Sequence, residues 1–442
     1  MKKALALIAA LLLTVGAVSC KKVPDPSGGT TSVEDTVTEP SPAQPDVLRL
    51  GEDEILKFAQ PFCDGAAWVF VSSKDGARGR MLLIDTEGKI LFRGYEQTGD
   101  YPGTGRVTNF HRGVCLYEDN GARYLIGCDG RVIFCDAEDG MKAAHQLFGG
   151  ADNVTLYPGI DDGSPYFSAD HELLKNTYFN GYSVAVCSIG ETEKYGILSP
   201  DGSFAVPFSD VYAYSFELGS GTAFAAFRYD MNGDFFALDY NTKTLTDLGR
   251  KNDLPSGIIY PHESGTTLEL QRKYELEKGE GLLYSREKKG FVDASGEVVI
   301  DLSGYSLAEK KRDGDEYIPY FHGGKCVITF ISDGKPYFAV IDRDGKMLTD
   351  PVPFPSDDLT DAENNRYAYV SEGTVVFTKE SDPEYYMYGR SKYGVFFGED
   401  GRVREDLGKY AYVYPFSDGI ALTLDESGEY NYIDKNGKIL FR

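Results

Sequence analysis

The chain has 442 residues, a formal charge of −24 and a pI near 4.7, and it contains 50 Gly, 31 Tyr, 26 Phe and one Trp. An acidic body of this kind argues against binding nucleic acid or an anionic membrane surface through its folded face. Abundant aromatics and glycines point to many short strands joined by tight turns rather than to helices.

The first elements concern address. Lys2 and Lys3 form a basic start, and an apolar run follows from Ala4 to Val18, broken only by Thr14 and Gly16. Such a run is short for a membrane-spanning helix and has the flanks of a signal peptide. It ends in Ala17-Val18-Ser19-Cys20, which resembles the bacterial lipobox, although Ala17 stands where Leu is usual. The resemblance implies cleavage after residue 19 and attachment of lipid to the Cys20 thiol. An ordinary cleaved signal or an uncleaved anchor are the alternatives. Residues 20–47 are rich in Pro, Ser, Thr, Gly and acids and poor in apolar residues, so they read as a flexible tether. Loss of residues 1–19 removes two lysines and takes the charge from −24 to −26.

The body from 48 to 442 is organised by a repeat of two parts. The first is Phe-x-x-Gly followed by alternating apolar residues, at Phe62–Gly65, Phe110–Gly113, Phe216–Gly219, Phe321–Gly324 and Phe416–Gly419. Looser copies lie at Phe179–Gly181, Lys278–Gly281 and Ser371–Gly373. The second part is an aromatic-apolar strand, Asp-x-x-Gly or a variant, and another short strand. It occupies 81–92, 124–134, 195–206, 235–245, 289–300, 337–348, 393–403 and 430–441. Alternation supplies two half-buried strands, and Asp/Asn-Gly supplies the positive φ of a tight hairpin. The Phe-x-x-Gly part adds two more strands. Eight four-stranded units of about 49 residues predict an all-β fold, a β-propeller of about eight blades. Seven blades or a β-solenoid are the structural alternatives. No stretch has sustained helical periodicity.

These residues resemble the bacterial WG-repeat family, best at Lys194-Tyr195-Gly196-Ile197, at Lys392-Tyr393-Gly394-Val395 and in the final PFSDGIALTL and YNYIDKNGKIL. The family's name-giving Trp is missing. Tyr195 and Tyr393 stand in for it, Lys289 precedes Gly290, and Trp68 lies in a different strand. The resemblance implies binding or scaffolding units without a shared chemistry.

Catalytic patterns are weak. His171-Glu172 begins an HExxH-like string but lacks the second His. His111 and His322 each follow a repeat Phe and read as residues tolerated by that turn. Asp85, Asp293, Asp342 and Asp434 share one repeat position, where capping backbone donors explains their recurrence. The string Asp230–Asp234 has alternate oxygen donors but lacks the later Glu of an EF-hand. The six body cysteines, Cys63, Cys115, Cys128, Cys135, Cys187 and Cys326, match no CxxC site. They read as buried thiols, with a bridge between Cys128 and Cys135 as the alternative. No cofactor and no metal is expected.

Insertions at 136–177 and 379–391 place Tyr157, Tyr166, Phe167, Tyr385, Tyr386 and Tyr388 in polar loops. Aromatic rings on such loops suit sugar stacking or a protein partner. The expectation is a monomeric lipoprotein of the bacterial cell envelope, extracytoplasmic and held to the membrane only through Cys20. Its body is expected to bind or scaffold protein or glycan without catalysis. The alternative is an extracytoplasmic enzyme acting on polysaccharide or cell-wall material with carboxylates in a central funnel.

Overall fold

Strands form where apolar residues alternate, and turns form where Gly supplies a left-handed backbone. The computed structural model describes residues 46–98, 106–108, 110–158, 181–209, 212–216, 224–228, 234–239, 244–250, 276, 279–308, 319–355, 370–378 and 394–442. The chain divides into Met1–Gln44 and Pro45–Arg442, and all described residues belong to the second part.

That part is built from small antiparallel sheets in chain order. The first unit is β1 (Glu54–Ala59), β2 (Ala66–Ser73), β3 (Arg78–Asp85) and β4 (Ile90–Thr98). The second is β5 (Arg106–Val107), β6 (Val114–Asp119), β7 (Ala122–Gly127) and β8 (Val132–Cys135). The third is β9 (Asn153–Pro158), β10 (Ser183–Ile189), β11 (Thr192–Leu198) and β12 (Phe204–Ser209). The fourth is β13 (Tyr212–Phe216), β14 (Phe224–Arg228), β15 (Asp234–Asp239) and β16 (Thr244–Arg250). The fifth shows β17 (Leu283–Ser285), β18 (Gly290–Val292) and β19 (Val298–Asp301). The sixth is β20 (Ser306–Leu307), β21 (Lys325–Ser332), β22 (Lys335–Asp342) and β23 (Val352–Pro353). The seventh shows β24 (Val370–Ser371), β25 (Thr374–Thr378) and β26 (Gly394–Gly398), and the eighth β27 (Tyr412–Val413), β28 (Ile420–Leu424) and β29 (Tyr430–Asp434). Each unit is a meander with neighbours in sequence order, and the eighth and first join through β29 and β1 into one seven-stranded sheet.

Two expectations are corrected. The sequence gives the hairpin at 430–441 a second strand like the others, but only the bridge Ile433–Ile439 pairs there, as Phe397–Val403 does in the seventh unit. A short outer segment gains few ladder bonds, because nothing lies beyond it to pair with. The second correction is a helix, Met141–Phe148, preceded by a wide turn at Asp136–Gly140. Eight residues are too few to show helical periodicity, and the helix is ended by Gly149 at φ 77° and held by Ala144 in the core.

The sheets pack face to face. Every residue of β2 is buried, and its two faces go to different neighbours. Ala66, Trp68 and Phe70 pack with Phe110, Cys115, Tyr117 and Ile126 of the second unit. Ala67, Val69 and Val71 pack with Ile420, Leu422, Leu424, Tyr430 and Tyr432 of the eighth. The same division recurs in β6, where Cys115 and Tyr117 face the first unit and Val114 and Leu116 the third. In β21, Cys326 and Ile328 face the fifth unit and Val327 the seventh. In β28, Ala421 faces the seventh unit and Leu422 the first. A strand buried on both faces needs a near-continuous apolar run, which is why the second strands read AAWVFVSS and KCVITFIS.

Turn glycines fix the register between units. A Cβ on Gly130 would lie 2.3 Å from Leu91 O of the first unit, and one on Gly202 would lie 2.8 Å from Ile133 of the second. Gly345 meets Ile300, Gly401 meets Val352, and Gly437 meets Asp406 O in the same way. Gly88 of the first unit meets Phe441 of the eighth at 2.7 Å. The eighth unit therefore stands to the first as the first, second, fifth, sixth and seventh stand to their successors, and Leu56 pairs with Tyr430 across that junction.

Candidate functional site

In each meander the first-to-second and third-to-fourth strand turns share one end of the sheet. Phe-x-x-Gly makes the first of these. Asp64-Gly65, Glu280-Gly281, Glu372-Gly373 and Asp418-Gly419 all have φ between 47° and 89°, the paired positive values of a type I′ hairpin. The Asp-x-x-Gly turn differs from expectation, because only its Gly is left-handed. Gly88 N–H donates to Asp85 O and Gly437 N–H to Asp434 O, which is a type I turn closed by a glycine bulge.

The two turns use carboxylates in two ways. In Asp-x-x-Gly, the Asp closes its own turn. Asp85 Oδ1 accepts from Glu87 and Lys89 N–H at 3.0 and 2.8 Å, and Asp434 Oδ1 from Asn436 and Lys438 N–H at 2.8 and 3.0 Å. Asp342 and Asp293 do the same. In Phe-x-x-Gly, the acid closes the next unit's turn. Asp64 Oδ2 accepts from Gly113 N–H at 2.7 Å, and Glu372 Oε2 from Gly419 N–H at 3.0 Å. Glu280 accepts from Gly323 and Gly324 N–H at 2.6 and 3.0 Å. Asp418 Oδ2 accepts from Gly65 N–H at 3.0 Å, which carries the relation from the eighth unit to the first. Basic residues of the second turn reinforce it: Arg343 lies 3.2 Å from Glu280 and Lys435 3.2 Å from Glu372.

Electrostatics follow from these bonds. Amide donation from Lys438 and Asn436 holds Asp434 below the usual carboxylate range, and Ser295 with the turn amides does so for Asp293. Burial, with the charges of Asp64 and Asp418, pushes the Cys63 thiol up to about 11. A glycosidase acid needs the opposite, a proton retained near neutral pH. Asp136 is raised by burial, but its oxygens accept from Arg123 and Leu156 N–H at 2.9 and 3.3 Å and bind the helical insertion to β7 and β9. Among the described residues no three His, Cys, Asp or Glu side chains are placed to hold a metal ion.

Of the aromatic residues singled out in the sequence, Tyr157 alone lies among the described residues. It lies not in a loop but within β9, paired with Val184 and half-buried, with the Arg123 guanidinium 4.8 Å from its ring centroid. Tyr166, Phe167, Tyr385, Tyr386 and Tyr388 lie outside the described residues, as do Cys20, His171, His262 and most of 230–234. The chain leaves β9 at Pro158 and returns at Ser183, at the end of the sheet that carries the Phe-x-x-Gly turns. It leaves β25 at Thr378 and returns at Gly394, at the end that carries the second-to-third strand turns. His111 and His322 sit in backbone bridges of their own turns, with Val114 and Lys325. Cys63, Cys115, Cys128, Cys135, Cys187 and Cys326 are free thiols, and Cys135 pairs across its hairpin with Tyr124 rather than Cys128. No helix among the described residues is long and apolar enough to cross a membrane.

Compared by sequence, the chain matches no family model and no curated protein. Solved structures align over most of its length. An uncharacterized protein, lmo1340 from Listeria monocytogenes, aligns with 90% of this chain and 96% of its own at 9% identity and a TM-score of 0.31. The Pan2 WD40 domain of Neurospora crassa aligns with 86% of this chain and 88% of its own at 8% identity and a TM-score of 0.26. TolB from Acinetobacter baumannii covers 76% of this chain and 77% of its own at 9% identity and a TM-score of 0.21. At such scores the likeness decides neither fold nor function.

Proposed function

We propose that the body is a closed, propeller-like ring of eight units that serves as a non-catalytic binding or scaffolding module for protein or glycan. In this reading it is a divergent WG-repeat lipoprotein, displayed in the bacterial cell envelope by lipid on Cys20 and by the tether 20–47. The observation that carries the reading is the use made of its acids. The acids of both repeat turns are engaged by backbone amides, within a unit or across to the next. Carboxylates so engaged stabilise a rigid frame and are poorly suited to proton transfer. The frame leaves loops between strands free to vary, and that is where recognition is built on repeat scaffolds.

The test uses the mature lipidated protein in detergent, titrated against purified cell-wall polysaccharide and solubilised envelope proteins, with release of reducing ends or peptides followed in the same samples. Saturable binding without turnover is expected, and multiple turnovers would reject the reading. Incorporation of labelled fatty acid, lost in Cys20→Ser, checks the anchor separately.

A further inference from the structure

Four of the eight units carry an acid just before this turn's glycine, Asp64, Glu280, Glu372 and Asp418, while the third, fourth and sixth carry Asn180, Leu218 and Gly323. The second unit alone carries a cation there, Arg112, with the left-handed backbone of the acids at φ 55°. The next unit's turn glycine, Gly181, lies directly against it. A Cβ on Gly181 would meet Arg112 Cβ and Cδ at 3.1 Å. Gly65, Gly113, Gly324 and Gly419 each donate their N–H to a carboxylate of the preceding turn, whereas Gly181 meets a side chain with no acceptor. The Arg112 guanidinium lies 5.7 Å from the centroid of the Tyr182 ring. Its Nε and Nη2 are shielded from solvent and have no hydrogen-bond partner among the described residues. Shielding charged donors without an acceptor is costly, so such a group is a favourable partner for an anion.

We infer that Arg112, Gly181 and Tyr182 form a binding site for a carboxylate. A guanidinium edge matches the two oxygens of a planar carboxylate, and a ring beneath it fixes its plane. The Gly181 amide adds the donor that its counterparts already give to carboxylates. Four counterparts set the ligand's class, since Gly65, Gly113, Gly324 and Gly419 each donate to a planar carboxylate from the preceding turn. Bound ligand would supply from outside the group that Asp64 supplies to Gly113 from within. The inference rests on the turn geometry alone and is independent of the proposed envelope role.

The test is equilibrium unfolding of the full-length protein in acetate, chloride or phosphate at matched ionic strength, with a blocked Ala-Glu-Ala peptide as a second carboxylate source. Acetate at ten times its Kd should lower the unfolding constant about elevenfold relative to chloride. Acetate alone acting would assign the site to small free carboxylates, and the peptide acting as well would extend it to acidic side chains. Arg112→Gln should abolish the response. Arg112→Asp should also abolish it and should be more stable than the unmodified protein in chloride, because the acid is restored. An equal acetate response in Arg112→Gln, an equal response to phosphate, or an Arg112→Asp protein less stable than the original would overturn the proposal. Should Arg112→Gln fail to fold, the Nε–H resonance of Arg112 in the unmodified protein gives the answer. It should move saturably with acetate, and a stationary resonance would refute binding.

Discussion

Closure of the eighth unit on the first can be measured with one oxygen atom. Tyr432 is fully buried, and its hydroxyl donates to Gln60 O at 2.6 Å across a sequence separation of 372 residues. Its ring packs on Phe62 at 5.0 Å and Phe441 at 5.6 Å, so Tyr432→Phe keeps the packing and removes only the hydrogen bond. Losing a buried bond while stranding its acceptor costs about 1–3 kcal/mol. Tyr117→Phe is the matched control at the junction of the first and second units, where Tyr95 N–H donates to the Tyr117 hydroxyl at 2.8 Å. The assay is urea unfolding followed by far-UV circular dichroism and by the fluorescence of Trp68, which is fully buried at that control junction. Both variants should lose stability in the same range, with both probes moving together. A Tyr432→Phe protein within about 0.5 kcal/mol of the original, beside a Tyr117→Phe protein that loses the full amount, would show that the last junction contributes nothing and would refute closure.

Three further outcomes follow from the turns. Gly130→Ala should destabilise the fold more than Gly65→Ala. Both have φ near 80°, but a Cβ lands 2.3 Å from Leu91 O in the first and within 4 Å of nothing in the second. The left-handed strain common to both is about 1–2 kcal/mol, and thermal melts of the pair isolate the inter-unit clash as the difference. Asp434→Asn should destabilise at pH 7. Because the folded carboxyl titrates below its ordinary value of 3.8, the stability it adds is present above that value and is lost as pH falls through its folded pKa. The gap between variant and original should therefore narrow below pH 4, and a gap unchanged down to pH 2 in denaturant titrations would contradict the capping role. With its thiol pushed up to about 11, Cys63 should resist alkylation in the folded protein at pH 8, where about one thiol in a thousand is ionised. Iodoacetamide labelling read by mass spectrometry should find Cys63 modified only after urea is added.

How much was legible depends on the range of the interaction. The hairpin at 81–92 can be read because Asp85 bonds to residues two and four positions on, and a short window contains donor and acceptor together. The helix Met141–Phe148 is not legible in the sequence because eight residues give barely two turns of pattern, and its hold on the body comes through Asp136 and the core contact of Ala144. The contact from Asp64 to Gly113 spans 49 residues and that from Asp418 to Gly65 spans 353. Nothing local marks Asp64 as anything but a turn residue. The recurrence of acids just before the turn glycine, at 64, 280, 372 and 418, is the available signal, and Arg112 is the one cation at that position.

Sequence alone determined the units. Apolar alternation and turn glycines act within about a dozen residues, so eight hairpins and their strand order follow from the chain without knowledge of any neighbour. Only the tertiary structure decided which unit each face meets, and that Gly88 and Phe441 bring the last repeat against the first. It alone decided that the Phe-x-x-Gly acids serve the following unit rather than their own. Burial on both faces asks a strand only for apolar residues, and any apolar neighbour satisfies that demand. The choice among neighbours comes from close contacts at turn glycines and from amide-to-carboxylate bonds, whose partners lie in another unit, from 31 residues away for Gly437 and Asp406 to 353 for Asp418 and Gly65.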